Sequence, residues 1–306
     1  MRKHILDRPI SYFAIYLTAG LLPVSFCRLI AKVVVSIVYA FSKKDRQGLA
    51  YNLSLAFNRR PTDPFIRQTV RRIFYNYGQY MADFFIMPQL PPVKAQRYFN
   101  TVYGEKHIHE ALAKGRGVIL LSAHIGNWEF GGIMMRLADY SLAVVALPHN
   151  TSATNALVNK FRTDAGIKII ELTGSPFAGI DILQHLRQNG VVAMVGDKDF
   201  FGSGQPTRFF GQTVNFPVGP IALALKSGAA LIPAFVLQGR DGRYFGLTEK
   251  AIPLESVGGR EEVIAINLDK ITRVFEKCIR RYPDQWYCPD PILSLIHISE
   301  PTRPTT

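Results

Sequence analysis

An imidazole and a carboxylate stand five positions apart at His124 and Glu129, directly after an apolar run that ends at Ala123. An α-helix turns about 100° per residue, so five regular helical steps would point the two side chains roughly 140° apart. We therefore expect the pair on a turn that leads into a helix, where Gly126 supplies backbone freedom and Asn127 forms the N-cap. Glu129 then holds His124 in one tautomer, and the other imidazole nitrogen takes a proton from a hydroxyl. The chemistry predicted is the activation of an alcohol.

The elements around this pair predict an α/β fold with a mainly parallel sheet covered by helices, because strand-like runs alternate with helical stretches. The expected strands are residues 118–122, 142–147, 167–172, 191–195 and 231–237, with a late edge strand at 244–252, and the expected helices are 63–87, 155–165, 177–188 and 261–281. Open sheets of this kind bind ligands at the carboxyl ends of their strands, and His124 lies at the carboxyl end of the strand expected at 118–122. A packed histidine and a solvated carboxylate are the alternative interpretation of His124 and Glu129.

The run His-Ile-Gly-Asn-Trp-Glu at 124–129 resembles the His-four-residues-acid motif of glycerolipid acyltransferases, in the Asn-Trp-Glu form typical of bacterial lipid A late acyltransferases. Further blocks resemble the same family in the same order along most of the chain. They lie at 52–53 and 55–57, at Arg162 and Gly166, and at 196–199, 209–211, 216–220, 227–229 and Pro233. The resemblance implies the α/β core of that family with an N-terminal membrane-anchoring helical segment.

The same resemblance implies transfer of a fatty acyl group from a thioester to a hydroxyl of a lipid A precursor or a related glycolipid. His124 is then the general base and Glu129 orients it, so that the hydroxyl attacks without an enzyme nucleophile. The thioester, on acyl carrier protein or on coenzyme A, is a co-substrate, and neither a further cofactor nor a metal is implied. The alternative is an acyl-CoA-dependent acyltransferase of another glycolipid, such as a mannoside, or of a lysophospholipid.

Six further residues are candidate substrate contacts: Asn127, Trp128, Arg162, Asp197, Lys198 and Asp199. Arg162 holds a phosphate or the acceptor headgroup by bidentate hydrogen bonds, or it is a surface arginine on a helix. Asp197 and Asp199 follow an apolar strand in a glycine-bearing loop, where they position a base or the acceptor, or cap the next turn. Lys198 between them is expected to meet a substrate phosphate.

The net charge of +13, from 36 Lys and Arg against 23 Asp and Glu, calls for an acidic partner. Basic residues cluster beside the apolar N-terminus, which favours anionic lipid headgroups, and no nucleic-acid-binding motif is evident. The expected partners are therefore membrane lipids, an anionic glycolipid acceptor, and acyl carrier protein or acyl-CoA, with no nucleic acid.

Residues 1–45 are expected to anchor the chain to a membrane. The apolar stretch at 10–41 is interrupted by Gly20, Pro23, Arg28 and Lys32, whereas an uninterrupted span needs about 20 apolar residues. Basic residues flank both sides, which fits a shallow, kinked or re-entrant anchor as well as a single span. The resemblance implies the bacterial inner membrane with the catalytic face in the cytoplasm, and three cysteines without pair spacing fit a reducing compartment.

Residues 46–292 form the expected acyltransferase domain, with the family resemblance ending near Tyr282. Residues 293–306 resemble a translated sequencing adaptor, so we expect them to be a non-native tail and the native C-terminus to be missing. Two other function classes compete with acyl transfer. A serine hydrolase would use Ser122 beside His124 but lacks the Gly-x-Ser-x-Gly elbow. A catalytically inactive membrane scaffold would share the charge and the anchor, and the presence of both His124 and Glu129 argues against it.

Overall fold

Helices and strands alternate along the described part of the chain. The structure, a computed structural model, describes residues 22–149, 151–173 and 177–290. Residues 1–21, which include the first half of the predicted anchor, and the predicted non-native tail lie outside the described residues. Within them the α-helices are α1 Val24–Phe41, α2 Lys43–Phe57, α3 Pro64–Ile86, α4 Pro92–Gln96, α5 Lys106–Leu112, α6 Trp128–Leu137, α7 Ser152–Asp164, α8 Phe177–Arg187, α9 Gly219–Ser227 and α10 Arg260–Arg281. The strands are β1 Phe99–Tyr103, β2 Val118–Ser122, β3 Leu142–Ala146, β4 Lys168–Glu171, β5 Val191–Val195, β6 Gln205–Phe209, β7 Gln212–Phe216, β8 Ala230–Gln238 and β9 Tyr244–Thr248.

A seven-stranded sheet runs through the centre of the molecule, in the strand order β1-β9-β8-β2-β5-β3-β4. All neighbouring strands in it are parallel except β8 and β9. The central strand β2 is buried along its whole length, as the central strand of a parallel sheet with helices on both faces should be. The prediction of a mainly parallel sheet covered by helices is confirmed.

Two apolar layers hold this sheet between the helices. The helices α5 and α6 pack on the face that carries Leu120, with Phe130 of α6 fully buried. The helices α8, α9 and α10 pack on the face that carries Leu121, with Phe275 of α10 fully buried. Burying one such side chain contributes about 1.5–3 kcal/mol. Alternate residues of β2 thus serve opposite layers, and the end of this strand is held from both sides.

The strand predicted at 244–252 as an edge strand is an interior strand, which corrects that prediction. The strand β9 pairs with β8 on one side and with β1 on the other. The sequence did not predict β1, because Asn100 and Thr101 are exposed polar residues within a strand of five. Such a short segment carries little apolar periodicity.

The hairpin of β6 and β7 was also not predicted, and it packs against α10. Its two turn residues, Phe210 and Gly211, have φ angles of 49° and 77°. Two-residue hairpin turns require this left-handed backbone and usually place Asn, Asp or Gly there. A phenylalanine at the first position gave no turn signal.

The helix α1 packs along α3 with one face and leaves the opposite face exposed. Cys27 and Val35 are buried in this contact, and the Arg28 guanidinium donates two hydrogen bonds of 2.9 Å to the Asp83 carboxylate of α3. The exposed face carries the apolar stripe of α1, whose members recur at helical spacing: Phe26, Leu29, Ile30, Val33, Val34, Ile37 and Phe41. Of the helices in the described ranges, α1 is the one whose length and apolar composition suffice to cross a membrane.

A closing segment, residues 282–290, leads back from α10 across the N-terminal helices. The Asn52 amide of α2 donates to the carbonyl oxygens of Cys288 and Asp290, at 2.9 and 2.7 Å. The rings of Tyr77 and Tyr287 stack almost in parallel, with centroids 3.7 Å apart. The segment is thus fixed to both α2 and α3.

A substitution at Gly126 would test how closely the turn after β2 approaches the sheet. Its φ is 68°, and a Cβ atom there would lie 1.9 Å from the Val236 carbonyl oxygen. We expect Gly126→Ala to lower the free energy of unfolding by clearly more than the 1–2 kcal/mol (roughly) that a left-handed backbone costs a residue with a Cβ. Gly115→Ala is the matched control, because its φ is 70° and nothing lies within 4 Å of the added Cβ. Urea unfolding of both variants measures the difference, and equal losses would contradict the close approach.

Candidate active site

The central pair of parallel strands brings His124 and Asp197 together. The strands β2 and β5 are paired in register up to Ser122 with Val195, at a constant separation of 73 positions. His124 and Asp197 each follow their strand by two residues and keep that separation. The carboxyl ends of neighbouring parallel strands lie at one edge of the sheet, so the two side chains meet there.

His124 and Asp197 form a tight hydrogen-bonded pair. The imidazole Nδ1 lies 2.5 Å from Asp197 Oδ1, and the backbone N–H of His124 donates to Oδ2 at 3.0 Å. Burial acts to raise the pKa of the Asp197 carboxyl, but attraction to the His124 ring in its protonated form, together with the hydrogen bonds from His124, outweighs burial and holds that pKa below its usual range. An ionised carboxylate only accepts hydrogen bonds, so we assign the proton to Nδ1. No described residue bonds Nε2, which is left as the proton acceptor.

Glu129 does not orient His124, and that part of the sequence prediction is wrong. Its carboxylate accepts two hydrogen bonds from Arg162, one from Nη2 at 2.5 Å and one from Nε at 3.0 Å. The reason lies in the helices: Glu129 sits in the first turn of α6 and meets Arg162 in the last turn of α7. Asp197 takes the orienting position that the sequence assigned to Glu129.

The pair of Glu129 and Arg162 is buried, with each side chain about a tenth exposed. Burial acts to lower the pKa of the Arg162 guanidinium, but the Glu129 charge and hydrogen bonds outweigh it and raise that pKa. The remaining nitrogen, Nη1, donates to Asn159 at 3.4 Å. Each of the three guanidinium nitrogens thus donates one hydrogen bond within the protein, and a contact of Arg162 with a substrate headgroup stays a prediction. Removing one partner of such a buried pair costs about 3–5 kcal/mol.

Asn127 and Trp128 have different surroundings. Asn127 is the N-cap of α6, as predicted, because its Oδ1 accepts the backbone N–H of Phe130 at 3.0 Å. It is fully buried and does not line the cleft described below. Trp128 does line that cleft, and its ring meets the His124 imidazole edge-on with centroids 5.5 Å apart. Of the two, Trp128 is the residue placed to touch a substrate.

Lys198 and Asp199, the two remaining predicted contacts, lie in the loop after β5 and have different surroundings. Asp199 caps its own loop, since its carboxylate accepts the backbone N–H groups of Phe201 and Gly204 at 3.2 and 2.7 Å. Lys198 lines the cleft, and its ammonium lies 3.4 Å from Asp290. Burial acts to lower the pKa of Lys198, but surrounding groups that include Asp290 outweigh it and raise that pKa. Lys198 therefore stays charged, in a position to meet an anionic group.

The closing segment completes the site, and sequence reasoning missed it. The indole N–H of Trp286 points to Asp197 Oδ2 at 3.4 Å. The Gly126 N–H donates to the Gln285 carbonyl, and the Tyr287 N–H donates to the His124 carbonyl, both at 3.0 Å. The one available signal was Trp286 itself, because the chain has only two tryptophans and the other belongs to the motif.

A cleft of about 1320 Å³ opens beside His124. Most of its lining is apolar or aromatic, with Lys198, Glu129 and Arg162 among the charged members. Small-molecule pockets are usually about 300–1,000 Å³, so this cleft exceeds the size that a compact polar substrate needs. Its dimensions and lining suit a long apolar chain with a polar end near His124.

The arrangement can activate a hydroxyl group with a base and no enzyme nucleophile. The hydroxyl of Ser122 donates to the adjacent Ala123 carbonyl at 3.1 Å, so it is not bonded to His124. Within residues 22–149, 151–173 and 177–290, no group of three His, Cys, Asp or Glu side chains is placed to hold a metal ion. The base, its carboxylate and the cleft are what this site offers.

Comparisons with known proteins agree with this chemistry. The model of the bacterial lipid A biosynthesis acyltransferase family matches residues 6–288, so the family match extends beyond Tyr282 and includes Trp286. A phosphatidylinositol mannoside acyltransferase of Mycobacterium tuberculosis (strain CDC 1551 / Oshkosh) is 29% identical over 219 residues, which are 71% of this chain and 67% of the relative. A protein of the same description from Mycolicibacterium smegmatis (strain ATCC 700084 / mc(2)155) is 26% identical over 255 residues, 83% and 81% of the two chains.

The lowered pKa of Asp197 predicts how its contribution to stability depends on pH. A carboxylate whose pKa is lower in the folded than in the unfolded chain stabilises the fold fully above the unfolded value, about 3.9. That contribution is lost as the pH falls through the lower, folded value. We expect Asp197→Asn to lower the free energy of urea unfolding at pH 6, and the gap to wild type to shrink steadily below about pH 4.

Asp164→Asn is the control for that measurement, because the Asp164 carboxylate is exposed on α7. It should show little loss at pH 6. A gap between wild type and Asp197→Asn that widens in acid would contradict the assignment of Asp197 as an ionised partner of His124.

Proposed function

Because the chain belongs to the bacterial lipid A biosynthesis acyltransferase family, we propose that it transfers a fatty acyl group from a thioester to a hydroxyl of an anionic membrane glycolipid. The observation that carries this proposal is the pair of His124 and Asp197 beside a large, mainly apolar cleft. A hydrolase of small polar esters would not need such a cleft. An inactive scaffold would have no need of an ionised carboxylate held against a histidine.

In the proposed reaction the acceptor hydroxyl gives its proton to Nε2 of His124 as its oxygen attacks the thioester carbon. Asp197 stabilises the imidazolium that forms, since its carboxylate faces Nδ1 at 2.5 Å. The tetrahedral intermediate then collapses, the carbon–sulfur bond breaks, and the thiolate takes the proton from the imidazolium. The products are the acylated lipid and a free thiol, and His124 returns to its starting state.

The proposal gives Glu129 and Arg162 a positioning role. Their buried ion pair ties the first turn of α6 to the last turn of α7 and so fixes the turn that carries His124. The sequence had placed Glu129 directly on His124. A loss of Glu129 should therefore act on the position of the base and not on its hydrogen bond.

The acyl donor is a thioester of acyl carrier protein or of coenzyme A, with no cofactor or metal. The apolar part of the cleft suits the fatty chain, and the net charge of +13 suits either carrier, since both are acidic. The cytoplasmic face of a bacterial inner membrane is the proposed location, where such thioesters are available.

Two acceptors are in question. The family description supports a lipid A precursor, whereas the relatives named above support a phosphatidylinositol mannoside. Both are anionic glycolipids, and Lys198 in the cleft is a suitable contact for a phosphate group. The mannoside is the second candidate, favoured by the names of those relatives.

The anchor is proposed to be shallow. One face of α1 packs against α3, and this contact includes the ion pair of Arg28 and Asp83. The opposite face carries the apolar stripe of α1. A helix bound to the domain along its length is suited to lie in the membrane surface, with its apolar face in the interface. The alternative of a single span would require α1 to leave α3.

The function is tested by offering the purified protein lauroyl acyl carrier protein or palmitoyl coenzyme A with each acceptor and identifying the lipids by mass spectrometry. We expect an added acyl ester on one glycolipid and an equal amount of free thiol. His124→Ala is the matched control and should lower the rate by about 10²- to 10⁴-fold. Thiol release without an acylated lipid would point to a hydrolase and would overturn the proposal, as would full activity of His124→Ala.

The anchor is tested by the double variant Leu29→Glu with Val33→Glu, which places two charges in the apolar stripe. We expect wild type to stay with membranes in about 1 M salt, where charge attraction is screened within roughly 3 Å. The double variant should move to the soluble fraction. Lys32→Ala, an exposed change on the same helix, should not move. Release of wild type by salt alone would show a purely electrostatic attachment.

A further inference from the structure

A fully buried carboxylate, Asp83 of α3, joins three elements of the fold. It accepts hydrogen bonds from Arg28 Nε and Nη2 of α1, both at 2.9 Å, and from the Tyr244 hydroxyl of β9 at 2.7 Å. Burial raises the pKa of the Asp83 carboxyl, and the Arg28 guanidinium offsets part of that rise. A charge in this place is tolerated only with its partners present, so the three groups form one unit.

The unit continues from Tyr244 to the turn that carries the catalytic base. The Tyr244 ring packs edge-on against Phe130 of α6, with centroids 5.3 Å apart. Burial and the negative charge of Asp83 raise the pKa of the Tyr244 phenol well above its usual value. Asn127 Nδ2 makes no hydrogen bond to a described residue, so Tyr244 is linked to Asn127 through Phe130, whose backbone N–H donates to Asn127 Oδ1 at 3.0 Å.

Asn127 is the residue through which this contact reaches the base. It caps α6, its backbone N–H donates to the Val236 carbonyl at 2.7 Å, and it lies three positions after His124. A shift of Tyr244 therefore acts on the start of α6 and on the turn before it. Misplacement of a base by about 1 Å can cost 10²-fold in rate.

At the other end, Arg28 belongs to the helix with the exposed apolar stripe. Its guanidinium also lies over the Tyr98 ring at 5.0 Å and reaches the Gly242 carbonyl at 3.4 Å. Arg28 is thus fixed on the side of α1 that faces the protein, while the apolar stripe faces outward. The docking of α1 and the position of Tyr244 depend on the same carboxylate.

We propose that Arg28, Asp83 and Tyr244 are positioning residues that couple the docking of α1 to the turn carrying His124. The coupling rests on the proposed acyl transfer and adds a form of regulation to it. When α1 is docked, Asp83 holds the Tyr244 hydroxyl and the turn is in place. When α1 is displaced, Asp83 loses its cation, Tyr244 loses its fixed partner, and turnover falls while the cleft still takes the thioester.

The test compares Arg28→Lys, Tyr244→Phe and the control Lys32→Ala, which changes an exposed residue of α1. Turnover is measured with palmitoyl coenzyme A and the acceptor that wild type acylates. We expect the first two variants to lower kcat about 10- to 100-fold, with KM for the thioester within twofold and sedimentation with phosphatidylglycerol vesicles unchanged. Lys32→Ala should match wild type in all three. Wild-type kcat in both Arg28→Lys and Tyr244→Phe would overturn the coupling.

A readout independent of activity uses fluorinated tryptophan. The chain has two tryptophans, Trp128 in the catalytic turn and Trp286 in the closing segment, and Trp286→Phe assigns the two fluorine NMR signals. We expect the Trp128 signal to shift in Arg28→Lys and in Tyr244→Phe but not in Lys32→Ala. An unmoved Trp128 signal in both would overturn the coupling even if no acceptor is acylated, so the two proposals fail separately.

If Arg28→Lys does not fold, the double variant Arg28→Met with Asp83→Asn replaces it, because removing both charges leaves no unpaired buried ion. We expect that protein to fold, to keep its vesicle binding and to show the same loss of kcat. A folded double variant with wild-type kcat would overturn the proposal.

Discussion

The pairing of β2 with β5 is the constraint on which the rest of the site depends. A parallel pair in constant register carries its two exit residues to one place, and here those residues are a base and an acid. A slip of one residue in that pairing would turn every side chain of the strand to the other face. The buried layers on both sides of β2 prevent such a slip, since Leu120 and Leu121 belong to opposite cores. Stability of the core and geometry of the base therefore have one origin.

Two carboxylates near His124 have different tasks because their surroundings differ. Asp197 ends a strand, is fully buried, and is surrounded by donors, so it is kept ionised against the imidazole. Glu129 begins a helix, where a negative charge is favoured, and is claimed by the guanidinium of Arg162. Sequence proximity suggested Glu129 as the partner of His124. In the folded chain the partner of His124 is instead Asp197, which lies 73 positions away and is brought to it by the pairing of β2 with β5.

The sequence predicted well what depends on local periodicity. The strands around 118–122 and 191–195, the helix α3 and the N-cap at Asn127 all follow from hydrophobic spacing and capping chemistry. It did not predict what depends on neighbour order. No local sequence pattern indicates that β5 lies beside β2. The order of the strands in the sheet would have been needed to identify Asp197 as the partner of His124. The role of the closing segment was missed for the same reason, because its contacts join residues far apart in the chain.

The closing segment also sets an order of events during synthesis. The ribosome delivers the N-terminal helices first, and a contact between two segments can form only after both have been made. The apolar stripe of α1 lies in the first part of the chain, whereas Gln285 and Trp286, which contact the turn after β2, are made much later. The growing protein therefore carries its exposed apolar stripe well before the turn around His124 has all of its contacts. The turn that carries His124 lacks its contacts with the closing segment until residues 285–287 have been made.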